Sequence, residues 1–230
     1  MLQGLLRGDS EQWLILATTR VPRTVSLLLA GATMSICGLI MQHLTQNKFV
    51  SPTTAGTMDS ARLGILLVML FLPNASTSIR TLAAFVFAFL GTLIFLGLSR
   101  LLPNKDPIFL PLLGVMFGNI VGSVATFFAY QFQLIQNMSS WLQGNFSLVA
   151  KGSYELLYLT IPLFFIIYLF AYSFTIVGLG EDVAVNLGVN YRLMQMLGIG
   201  LVAAASGLVL IMVGTVPFLG VIVPNIVSLI

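Results

Sequence analysis

Residues 81–98 read TLAAFVFAFLGTLIFLGL, a stretch without a single charge, held between Arg80 and Arg100. A strand that crosses a membrane alternates apolar and polar residues over about ten positions. Here one apolar residue follows another with no period of two. About 20 such residues in a helix cover the ~30 Å of hydrocarbon in a bilayer, and a helix satisfies its own backbone polar groups where no water can. The reading is an all-α, polytopic transmembrane bundle.

The rest of the chain agrees. Of 230 residues, 58% are hydrophobic and 7% charged, against about 25% charged in a soluble domain; mean hydropathy is +1.02. The 17 Phe supply lipid-facing bulk and the 21 Gly allow close helix contacts. Charges punctuate the chain. Uncharged runs occupy 24–47, 63–79 and 81–99, and a longer one covers 107–150. That longer run is apolar over 108–130 and polar over 131–147 (QFQLIQNMSSWLQGNFS), which suits an interface. The last 38 residues, 193–230, would reach about 57 Å as one helix, so Gly214, Pro217 and Gly220 must break it. About seven membrane segments follow: 24–45, 60–73, 81–102, 108–130, 156–178, 193–213 and 216–230. They are taken as one domain, 1–230. Residues 13–19 (WLILATT) are too short to span and are read as interfacial.

Composition also excludes. The ten basic residues are scattered, with no basic run for nucleic acid. The lone Cys37 has no disulfide partner within the chain and reads as a packing residue. Ion-coupled transporters carry acids or histidines in mid-span. The nearest approach here is Asp59 with Arg62, three apart on one helical face at the mouth of the second segment, read as an interfacial ion pair rather than a gate. His43, beside Gln42 and Gln46 near the end of the first segment, reads as an interfacial hydrogen-bonder. Nothing points to a catalytic centre or a metal site. Basic residues of alternate connections tie: Lys48, Arg62, Arg100, Lys105 and Arg192 on one side, Arg7, Arg20, Arg23, Arg80 and Lys151 on the other. The positive-inside rule gives no orientation.

Three places carry information. Gly114, Gly118 and Gly122 repeat every fourth residue (GVMFGNIVG), a double GxxxG stripe for close helix packing. Asn119 and Ser123 lie beside it, where they could line a path. Residues 178–192 (GLGEDVAVNLGVNYR) place Glu181 and Asp182 after a glycine turn, where acids complement a helix N-terminus; a short surface helix ending at Gly188 is expected, either a plain connector or a docking knob. Arg20 and Arg23 flank Pro22 just before the first span, as headgroup anchors or as cations aimed at a partner's acids.

In this order the pieces resemble a known family. RVPRTVSLLLAGATMSICGLIMQHLTQNKFVSP, GLGEDVAVNLGVNYR and GTVPFLGVIVPNIVSLI resemble three motifs of the FecCD-type permeases that import iron–siderophore complexes and vitamin B12. NKFVSPTTAGTMDSARLG and IQNMSSWLQGNFSLV bring the chain nearer the Gram-positive catecholate (petrobactin-type) permeases. The resemblance implies the transmembrane subunit of an ATP-binding-cassette importer in a bacterial cell membrane, not an enzyme. It implies a second permease subunit, identical or a sister chain, and two ATPase subunits that carry ATP-Mg, with no cofactor on this chain. The other partners implied are a substrate-binding lipoprotein, a ferric siderophore and membrane lipid. It places the 178–192 loop in the cytoplasm, where Gly180, Glu181, Asp182, Leu187 and Gly188 would enter a cleft on the ATPase. It places Arg20 and Arg23 outside, opposite glutamates of the lipoprotein. Three departures stand out. Asn225 follows Pro224 where histidine is usual, Asp59 replaces a small uncharged residue, and the family has about ten spans. The first and the last two would then be missing, and the alternative is a truncated, non-transporting fragment or scaffold.

Overall fold

The computed structural model describes residues 10–101, 109–137, 144, 146, 149, 152, 154–216 and 218–229. Arg7, Lys105, Lys151 and the middle of the polar stretch, 138–143, lie outside them. Among the described residues every element is helical. The order is α1 (Ser10–Ile15), a π-helical turn (Leu16–Arg20), α2 (Val21–Thr45), a 3-10 turn (Pro52–Ala55), α3 (Thr57–Phe71), α4 (Thr77–Leu101) and α5 (Phe109–Gln131). A second 3-10 turn (Glu155–Leu159) leads into α6 (Thr160–Leu169), α7 (Ala171–Val177), α8 (Glu181–Asn186), α9 (Tyr191–Val213) and α10 (Leu219–Val227).

A helix stands in each of the seven expected segments, but they do not all cross. Among the described residues, four stretches are long and apolar enough: Glu11–Thr45, Ser78–Ser99, Leu112–Gln131 and Tyr191–Val213. A fifth is the pair formed by Glu155–Leu169 and Ala171–Val177, bent by 60°. With 15 residues, α3 reaches only about 22 Å, part of the way; the nine residues of α10 cover about 13 Å. Counting residues between charges measures apolar chain, not depth. Pro52–Ala55 delivers the chain to α3 partway up the bundle, and the left-handed Gly214 (φ 86°) turns it back after α9.

Residues 13–19 do not form a separate stretch. These residues are helical and run on into α2. The cause is Pro22, which has no amide hydrogen to donate and whose ring crowds the carbonyl four residues back. The chain widens into a π turn there, the Val21 amide bonding to the Leu16 carbonyl, and Thr18 and Thr19 donate to the Leu14 and Ile15 carbonyls at 2.7 Å.

Small residues let the helices close. A Cβ on Gly198 of α9 would stand 2.8 Å from Leu44 and 2.9 Å from Phe174, so α9 fits between α2 and α7. Ala61, Ala84, Ala88, Ala125 and Ala129 join Ile65, Leu66 and Leu210 in the core shared by α3, α4, α5 and α9. With no hydrophobic drive between helices in lipid, such close packing is what holds a bundle together. Leu28, Ile94, Phe127, Phe165 and Tyr168 point outward, the inverse of a soluble surface.

Candidate functional site

The most sharply defined local structure is the turn between α7 and α9. Gly180 starts α8 with φ 113°, ψ 163°, a conformation that a side chain rarely adopts. Glu181 and Asp182 fill the first turn, where their charge faces the positive end of the helix dipole. The far end closes by a Schellman motif. Gly188, at φ 77°, donates its amide to the Val185 carbonyl (3.0 Å), and Val189 donates to Ala184 (2.9 Å). Asn190 then caps α9, its side-chain oxygen accepting from the Leu193 amide at 3.1 Å. Every cap is encoded within a dozen residues, which is why this helix was legible in the sequence.

Packing turns one face of α8 inward. Ala184 is fully buried in a core with Ile40, Leu44, Phe174, Val177 and Met194, and Val189 packs against it. Asp182, Val183, Val185, Leu187 and Gly188 face out, together with Leu179 before them. The result is a rigidly seated knob with an acid at its start and an apolar crown. It rests on the end of α2, where Cβ atoms on Gly178 and Gly180 would meet His43 and Gln46. The hydrogen-bonding role expected of His43 has no counterpart among the described contacts; it packs against the turn.

Arg20 and Arg23 sit at the opposite end of α2, both exposed. Arg23 Nε donates to the Phe146 carbonyl at 3.1 Å, tying the helix start to that residue. Between them and the α8 knob lies the whole of α2, 25 residues or about 37 Å, close to a bilayer with its headgroups. The two proposed docking sites therefore do not converge; they cap opposite ends of one spanning helix.

The glycine stripe lies against α3, with Asp59 as its neighbour. Gly114, Gly118 and Gly122 are buried, while Asn119 and Ser123 are exposed beside them. A Cβ on Gly118 would stand 2.9 Å from Asp59 Oδ2 and 3.4 Å from the Gly56 Cα; one on Gly122 would stand 2.8 Å from Asp59 Oδ1. The ion pair is present, Arg62 Nη1 to Asp59 Oδ1 at 3.8 Å, but its expected place is corrected. Gly118 and Gly122 lie at the middle of α5, so Asp59 sits at mid-depth and not at an interface. Because α3 starts partway up, a helix mouth is not a membrane surface here.

Sequence reasoning missed one junction. Gly220 of α10 packs on Pro52 (2.6 Å from a built Cβ to Cδ) and on the Met34 carbonyl, and a Cβ on Gly38 would run into the Gly220 carbonyl. Asn225, noted only as a departure, donates to the Lys48 and Val221 carbonyls at 2.9 and 2.8 Å and fastens α10 to the chain leaving α2. The signals were single glycines and a proline far apart in the chain, Gly38 and Pro52 against Gly220, which no local pattern connects.

Known proteins resemble this one along nearly its full length. The petrobactin import system permease YclN of Bacillus subtilis is 55% identical over 93% of this chain and 68% of its own. The petrobactin import system permease FatD of Bacillus anthracis is 42% identical, covering 97% and 67%. The ferric-anguibactin transport system permease FatD of Vibrio anguillarum is 38% identical, covering 96% and 70%. An inward-facing metal-chelate type ABC transporter shares the fold, with a TM-score of 0.82 at 22% identity over 96% of this chain and 71% of that one. Matched over residues 1–230, with apolar helices to cross a cell membrane and relatives that are import permeases, this chain belongs to the FecCD transport family, whose members are transporter subunits and not enzymes.

Proposed function

We propose that this permease moves a ferric siderophore inward through an ATP-binding-cassette importer, and that α8 is the handle by which the ATPase drives it. The observation that carries this is the geometry of α8. A helix of six residues, too short to hold itself in water, is fixed by two caps and one buried alanine and offers an exposed acid with an apolar crown. Such a knob transmits a push without bending. Two ATPase subunits, carrying ATP-Mg, close and pull the knobs of two permease copies, and the bundle rocks between access states. Hydrolysis belongs to the partner; this chain does no covalent chemistry.

The substrate class follows the relatives, whose names specify petrobactin and ferric anguibactin. A binding lipoprotein would deliver the chelate at the other end of α2, meeting Arg20 and Arg23 with its own acids. Exposed pairs of this kind contribute about 0.2–1 kcal/mol each and chiefly set orientation and encounter rate. Arg20→Glu with Arg23→Glu should therefore weaken lipoprotein capture roughly three- to tenfold, most visibly at low salt, where screening is least. Capture that is unchanged at both salt levels would leave the arginines as headgroup anchors. For the transport reading itself, ATP-dependent uptake of a ferric siderophore by the assembled importer is the expected result. Uptake persisting without the ATPase would contradict it.

A further inference from the structure

Asp59 and Arg62 have no part in the roles above, yet they place charge at mid-depth. Both are partly open, with side chains 28% and 41% exposed, and their 3.8 Å separation exceeds hydrogen-bond reach. Among the described residues, the Arg62 guanidinium has no other ion pair or hydrogen bond. A carboxylate wedged against two glycines cannot move far, whereas a long arginine stem can. The exposed face of α5 beside the stripe is polar as well, with Asn119, Ser123 and Thr126 exposed at i, i+4 and i+7. Charges inside a membrane face water, a pathway or each other, not lipid. A wet path along this face of α5 would account for both the polar strip and the loosely held guanidinium.

We propose that Arg62, positioned by Asp59, contacts the cargo and selects anionic ferric chelates. The inference rests on the importer reading and narrows its substrate class. Ferric iron held by catecholate or carboxylate oxygens forms an anion with those oxygens on its surface. A planar guanidinium fork matches that pattern of acceptors. Asp59 neutralises Arg62 while the path is empty, and the arginine swings away from it when the chelate's oxygens arrive.

The test uses the assembled importer and a ferric tris-catecholate. Arg62→Gln should lower uptake roughly tenfold or more, the scale of one lost charge-assisted hydrogen bond, while lipoprotein-stimulated ATP hydrolysis continues. Arg62→Lys should recover part of the uptake. Exchanging the pair, Asp59→Arg with Arg62→Asp, rebuilds the ion pair in reverse and should not recover it. Unchanged uptake in Arg62→Gln, or rescue by the exchange, would reduce the pair to architecture and overturn the proposal. Failure of the unaltered importer to take up chelate would instead count against the transport reading. An independent readout is labelling of Arg62→Cys by an anionic, membrane-impermeant thiol reagent, against the fully buried Cys37. Labelling suppressed by the ferric chelate is expected; no labelling, or labelling indifferent to the chelate, overturns the proposal.

Discussion

Changing Glu181 and Asp182 together to lysine should abolish lipoprotein stimulation of ATP hydrolysis while the chain still inserts into the membrane. Both acids occupy the first turn of α8, and Asp182 is exposed. Lysines there would oppose the helix dipole at its positive end, a small local cost of about 0.3–1 kcal/mol each. The larger effect falls on the partner. On the proposed docking, each reversed acid forfeits a charge-assisted hydrogen bond to the ATPase, about 1.5–3 kcal/mol, and each 1.4 kcal/mol is a tenfold change, so stimulation should fall about a hundredfold or more. The buried anchor, Ala184, is untouched, and Gly180 and Gly188 keep their turns. ATP hydrolysis by the complex, measured with and without the lipoprotein, reads this directly. Full stimulation in the doubly reversed protein would mean that α8 is a connector.

Gly38→Ala should be the most damaging single methyl in the bundle. Alanine is the better helix former by about 1 kcal/mol, so in a free helix the change would stabilise. Here the added carbon meets the Gly220 carbonyl, which is backbone and cannot rotate aside. Relief requires α10 to move, which strains the contact of Gly220 with Pro52 and the tie from Asn225 to Lys48. A loss near the upper end of the ~1–3 kcal/mol typical of overpacking is expected. Gly31→Ala on the same helix is the control, because nothing stands within 4 Å of its added carbon; it should be neutral or stabilising. Thermal unfolding of the two variants in detergent separates them, and equal stabilities would remove the α2–α10 junction from the account.

The two predictions draw on features of different legibility. The α8 knob could be read from GLGEDVAVNLG because its determinants are local: a glycine that can take positive φ at each end and acids in the first turn. The long spans α2, α4, α5 and α9 could be read from charge-free runs of the right length. Depth could not. That α3 and α10 begin inside the bundle, that Asp59 faces the middle of α5, and that Gly38 meets Gly220 are all facts of tertiary register. They depend on which helix lies beside which, and hydropathy along one segment does not hold that information. Even the π turn before Pro22 was masked, because the apolar run WLILATT looks alike whether it lies on a surface or continues a helix.

The central claim is that α8 protrudes on the cytoplasmic side, opposite Arg20 and Arg23. Asp182→Cys offers an exposed thiol in a protein whose native Cys37 is fully buried. In intact cells a membrane-impermeant maleimide should leave Asp182→Cys unlabelled and should label it in inside-out vesicles, with Arg20→Cys behaving in the opposite way. Labelling of Asp182→Cys from outside intact cells would contradict the account.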